Sequence, residues 1–206
     1  MKTERRYEIL NALPAYGPMY ISISDDGEPY YTEGYVVKFK KRNGEEWVAN
    51  FKPGWSKFSR IFDFKEHNLM VVFACGLGYI INPDKQQLKR TFGLFIKDVI
   101  TKEDGSLICA DETCIWVLYS KTGEIWKSPR ISWDGIESLS YANHLVKGKC
   151  YDPTNTIKPW SGFELNLQTK ELKGASYQES LKNNPHLDVQ KNGMFRRRIE
   201  TDKRDW

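Results

Sequence analysis

Histidine, paired cysteine motifs, long apolar runs and charge of one sign are all scarce in this chain of 206 residues. The histidines number three, His67, His144 and His186, and none stands in a nucleophile motif; each falls in a turn or in the polar C-terminal part. An acid, a base and an orienting group cannot be named together, which removes the usual ground for expecting catalysis. The four cysteines, Cys75, Cys109, Cys114 and Cys150, form no CxxC pair and have no histidine at ligand spacing, so a zinc site is not expected. Each lies in a short apolar run, where cysteine behaves as a small buried hydrophobe in a reducing compartment.

The longest apolar stretches, 69–74 and 115–119, are of strand length, far below the roughly 18 to 20 residues of a membrane-spanning helix. The first residues carry charge and meet Asn11, Pro14, Gly17 and Pro18 before any signal-like core develops. A cytoplasmic protein without a membrane partner is the resulting expectation. A net charge of +4, spread along the chain, gives no support for a nucleic-acid face. Gly76-Leu77-Gly78 lacks the third glycine of a nucleotide loop and runs on into another apolar strand, so it reads as a turn or bulge. Asp25-Asp26-Gly27 and Glu103-Asp104-Gly105 lack the alternating ligands of a calcium loop and read as turns. No cofactor, metal or catalytic residue is expected.

Aromatic residues are abundant. Seven Trp, 11 Tyr and 10 Phe make up 14% of the chain, a composition that suits the half-buried surface of a pleated sheet. Short apolar runs alternate with turn residues throughout positions 19–174, and no sustained period of 3.6 appears there. Between 96 and 129 four strands are separated by Lys102-Glu103-Asp104-Gly105, Asp111-Glu112-Thr113 and Lys121-Thr122-Gly123. Comparable sets cover 58–92 and 135–173, and a less regular one contains the hairpin signal Arg42-Asn43-Gly44. The turn markers Asn43, Asp84, Thr122 and Thr169 are spaced by 41, 38 and 47 residues, close to the roughly 40 to 50 residues of a four-stranded propeller blade. The pattern predicts an all-β, propeller-like array of about four antiparallel four-stranded meanders; a β-sandwich is the alternative, because periodicity reports strands and not how sheets stack.

Three segments follow: an N-terminal stretch, 1–18; the meander repeats, 19–174; and a polar tail, 175–206. The tail carries seven basic and five acidic side chains, with a short helix expected near 177–182. Its Arg196-Arg197-Arg198 run is diluted by Glu200, Asp202 and Asp205, which favours a solvated end.

The Glu-Asp-Gly turns and the Ser120-Lys121-Thr122-Gly123-Glu124 hairpin resemble blades of β-propeller proteins. The stretches Ile131-Ser132-Trp133-Asp134-Gly135-Ile136-Glu137, Cys150-Tyr151-Asp152-Pro153, Trp160-Ser161-Gly162-Phe163-Glu164-Leu165-Asn166-Leu167 and Lys170-Glu171-Leu172-Lys173-Gly174 look like the C-terminal half of small uncharacterised bacterial proteins. That resemblance covers about a quarter of the chain, implies a fold and a bacterial setting, and supplies no activity. Trp133-Asp134 is not a true WD repeat, because its Gly-His partner is missing.

Loop tryptophans are the strongest candidates for function. Trp55 lies in Pro53-Gly54-Trp55-Ser56 and Trp160 in Lys158-Pro159-Trp160-Ser161, where strand packing does not readily explain an indole. Trp55, Trp133, Asp152 and Trp160 are therefore the candidate partner-binding residues, although such rings also serve to cap a core. The expectation is a non-enzymatic module that binds a protein partner, with an immunity-type role as its fold-level analogy. A carbohydrate-binding module with an exposed row of tryptophans is the alternative; a hydrolase with its site in a central channel is the weakest reading.

Overall fold

In the first sheet of the fold, β1 (Tyr7–Ile9), β3 (Tyr35–Lys40), β4 (Glu46–Phe51) and β2 (Ile21–Ile23) lie side by side in that order. The computed structural model describes residues 5–16 and 19–183. The second sheet is a meander of β5 (Arg60–Phe64), β6 (Leu69–Ala74), β7 (Leu77–Asn82) and β8 (Gln87–Phe92). The third is built in the same way from β9 (Asp98–Thr101), β10 (Leu107–Ala110), β11 (Ile115–Leu118) and β12 (Ile125–Lys127). The fourth contains β13 (Ile136–Ala142), β14 (Leu145–Tyr151), β15 (Trp160–Asn166) and β16 (Leu172–Lys173). One helix, α1 (Ser176–Asn183), follows.

The protein is thus all-β with four four-stranded sheets in a propeller-like array. The irregular first unit has a physical explanation. Its edge strand β2 pairs with β4 in parallel, which no tight turn can make, and β1 comes from the 1–18 segment to pair antiparallel with β3. Arg6, just before β1, staples this sheet to the second by donating to Asp63 at 2.6 and 3.2 Å and to Asn68 at 2.9 Å.

Turn chemistry sets the hairpin registers. Both residues of Cys75-Gly76 and of Asn143-His144 have positive φ, the geometry of the two-residue turn that matches the twist of paired strands. The Gly76 region is thus a hairpin turn, as its sequence suggested.

The sheets stack face to face around three apolar layers. In β6 the alternation is clear: Met70, Val72 and Ala74 pack toward the first sheet, and Leu69, Val71 and Phe73 toward the third. In β10, Leu107 and Cys109 face the second sheet, and Ile108 and Ala110 face the fourth. Both faces of these two strands are buried, which explains their continuous apolar runs. A two-sheet sandwich would have a single such layer.

The two end faces differ. On the first sheet, the buried Asn50 carboxamide accepts from the Gly34 N–H and donates to the Thr32 carbonyl, both at 2.8 Å, fastening the preceding loop over the sheet. The fourth sheet presents Lys147 paired with Glu164, and Lys149 at 3.6 Å from Glu137. Among the described residues no buried cluster joins these end sheets, and the polar face of the fourth is suited to water.

The helix docks through the Tyr177 N–H on the Ile131 carbonyl at 3.1 Å and the Ser176 hydroxyl on the Tyr151 carbonyl at 2.8 Å. The charged run at 196–206 and His186 lie outside the described residues. No helix among the described residues is long and apolar enough to cross a membrane.

Candidate functional site

The stack has two unlike rims. One collects the polar turns 41–45, 65–68 and 83–86, tied by bonds such as Arg42 N–H to the Asp84 carboxylate at 2.9 Å. The other carries the connections between sheets, and there the loop aromatics gather.

Trp55 occupies the connection from β4 to β5. Its neighbour Gly54 is wedged between the β6–β7 turn and the β8–β9 connection, where a Cβ would lie 2.7 Å from the Cys75 carbonyl oxygen and 2.6 Å from that of Leu94, so only glycine fits. Gly54 and Ser56 donate to the Ala74 and Cys75 carbonyls at 2.8 Å, and Trp55 donates to Leu94 at 3.1 Å. The Ser56 hydroxyl donates to the Ile96 carbonyl at 2.6 Å. These bonds pin the backbone while the indole stays 70% exposed, edge-on to Phe95 with ring centres 5.3 Å apart.

Beside it lies a groove of about 560 Å³ walled by Trp55, Phe58 and Phe95, with Lys57, Lys97 and Glu112 at its margin. A second hollow of about 410 Å³ shares Phe95 and Glu112 and continues to Leu94, Trp116 and Lys127. Lys97 pairs with Glu112 at 2.6 Å, and the Lys127 ammonium lies 4.5 Å from the centre of the Trp116 ring. The Asp111 carboxylate accepts from the Thr113 and Cys114 N–H groups at 2.7 and 2.6 Å through Oδ1 and from Trp116 Nε1 at 2.7 Å through Oδ2.

The other three predicted residues lie farther along this rim, beyond Gly135, whose N–H donates to the Glu112 carbonyl at 2.7 Å. Trp133 is edge-on to Tyr177 at 4.8 Å, and the Arg130 guanidinium lies 4.5 Å from the Tyr177 ring centre. Trp133 Nε1 is buried without a hydrogen-bond partner among the described residues. Trp160 opens β15, stacks edge-on to Tyr151 at 5.3 Å and covers Gly135. The Asp152 carboxylate accepts from the N–H and hydroxyl of Thr154, closing a local turn.

The structure therefore packs Trp133 on Tyr177 and Trp160 on Tyr151, with the Trp133 backbone N–H donating to the Tyr151 carbonyl at 3.3 Å, and leaves Trp55 as the exposed ring of the three. Phe58, Phe95, Lys97, Glu112, Trp116 and Lys127 were not singled out from the sequence. Gly93-Leu94-Phe95, an apolar run in a connection, carried the same signal as the Trp55 loop.

No family model matches the chain, and no curated protein matches it. Similarity to solved structures is distant. The chain is 12% identical to the extracellular domain of a B. thetaiotaomicron protein assigned to a one component system, with a TM-score of 0.42 over 75% of this chain and 25% of that one. It is 13% identical to the N-terminal domain of Nup159, with a TM-score of 0.38 over 60% and 35% of the two chains. Against the computationally designed Ika4 protein the identity is 16% and the TM-score 0.39, over 61% and 81%. The chain thus spans a quarter of the first of these structures and 35% of the second.

Among the described residues no cluster of three His, Cys, Asp or Glu could hold a metal ion. His67 and His144 both lie in turns, His67 in a single helical turn and His144 in the β13–β14 hairpin.

Proposed function

We propose that the protein is a non-catalytic binding module that docks a protein partner on its aromatic rim, at the junction of the second and third sheets. The observation that carries this reading is Trp55, pinned through its backbone and 70% exposed at the mouth of a groove. Exposed tryptophans in such settings dominate interface energetics because their large rings lose water on docking. A cytoplasmic, bacterial setting belongs to the same reading; four free thiols and the resemblance of stretches within residues 131–174 support it.

The sugar reading needs a row of exposed indoles. Trp133 and Trp160 are instead half-buried against tyrosines. The test is quantitative affinity purification from the native cells with the tagged wild type and Trp55→Ala, alongside titration of tryptophan fluorescence with sugars. A stoichiometric protein captured by the wild type and lost with the variant is expected. A saturable sugar-induced shift abolished by the variant would overturn the reading in favour of a carbohydrate ligand.

A further inference from the structure

The groove beside Trp55 has a charge balance that narrows its occupant. Lys57 is exposed, and neither it nor Lys127 has a carboxylate partner among the described residues. Lys97 shares Glu112. Asp111 also lines the second chamber and keeps its charge, although its oxygens are held by its own turn and by Trp116. Three ammonium groups thus face two carboxylates, one paired with Lys97 and the other held in its turn, and the groove keeps a net positive charge.

The shape narrows the occupant further. Two apolar-walled chambers, one headed by Trp55 and the other by Trp116, meet at Phe95 and at the Lys97–Glu112 pair. We propose that this double groove takes an extended acidic peptide segment with an apolar side chain in each chamber and a carboxylate between them, over Lys97. The inference rests on the binding-module reading and names its partner's chemistry. A peptide also offers backbone N–H donors to Glu112, which a phosphodiester backbone lacks. A single exposed ring likewise gives no track of stacking platforms for successive bases.

The test is selection of a random peptide library on the full-length protein, followed by binding measurements with an enriched synthetic peptide. Enriched sequences should carry Asp or Glu between two aromatic or aliphatic residues. Trp55→Ala, and separately Lys57→Glu with Lys127→Glu, should weaken the peptide by about tenfold or more. Glu112→Gln should strengthen it, because Lys97 is released to the incoming carboxylate. All four positions are at the surface of the groove, and circular dichroism of each variant establishes that the fold is retained.

Failure to enrich peptides, enrichment without acidic bias, or binding indifferent to the lysine reversals would overturn the inference. If non-acidic peptides bind and Trp55→Ala abolishes them, the binding-module reading stands and only the partner chemistry fails. If no peptide responds to Trp55→Ala and oligouridylate binds through that residue instead, both fail.

Discussion

The ring of Phe92 lies across Gly78, its partner in the β7–β8 ladder, so closely that a Cβ on the glycine would sit 2.6 Å from the ring. Gly148 and Phe163, paired between β14 and β15, repeat the arrangement at 2.8 Å. In both sheets the aromatic ring fills space that a side chain would take. Phe92 cannot yield freely, since it is also packed against Phe73 and Trp116. Gly78→Ala is expected to destabilise the fold by about 1 to 3 kcal/mol, read from urea unfolding. An unchanged midpoint would show that the ring can move at little cost.

Arg6 and Asp63 form a mostly buried pair, with 13% and 10% of their side chains exposed. Removing the guanidinium leaves a mostly buried carboxylate without its charge partner and the Asn68 carboxamide oxygen without its donor. Arg6→Ala should therefore cost about 3 kcal/mol, more than the loss of an exposed ion pair. Unfolding curves of the two proteins check this. A loss below about 0.5 kcal/mol would mean that β1 is not held by this staple.

Asp26 provides a pH-dependent fastening. A hydrogen bond from Lys52, helped by Ser24 and by the Glu28 N–H, lowers its carboxyl from 3.8 to about 2. Because the folded value is the lower one, the contribution is present above the unfolded pKa and is lost as pH falls from about 4 toward 2. Asp26→Asn should be less stable than wild type at neutral pH, and the difference should close across that acid window. A pH-independent difference in thermal midpoint would refute the assignment.

The four thiols should separate by accessibility. Burial pushes the Cys109 and Cys114 thiols up, and Cys150 is also buried, whereas Cys75 is half-buried in the β6–β7 turn. With a chromogenic disulfide reagent on the native protein, Cys75 should react first and the other three only on unfolding. Rapid reaction of all four would contradict the packed layers between the sheets.

His144 occupies the second position of a two-residue turn with φ of 64°. Glycine adopts that conformation without the steric penalty of a side chain. His144→Gly should therefore stabilise the protein by up to about 1 kcal/mol in chemical unfolding. Destabilisation would indicate that the imidazole contributes more than the backbone strain costs.

Hairpin positions, most strands and most turns were legible in the sequence because they depend on local chemistry: Asn43-Gly44 bends the chain whatever lies nearby, and the uninterrupted run 69–74 reports burial on both faces. The Trp55 loop was legible for the same reason, since an indole between Pro-Gly and Ser fits poorly in a ladder. The parallel pairing of β2 with β4 and the recruitment of β1 were not, because each joins residues with no turn between them. Tertiary structure alone decided that Trp133 and Trp160 pack on tyrosines while Trp55 remains in water. It also placed Phe95, Lys97, Glu112 and Trp116 beside Trp55. A groove is made by the spacing of neighbouring sheets, and that spacing is set by the summed volumes of Phe73, Phe92, Leu107 and the other side chains between them, a property that no local stretch of sequence contains.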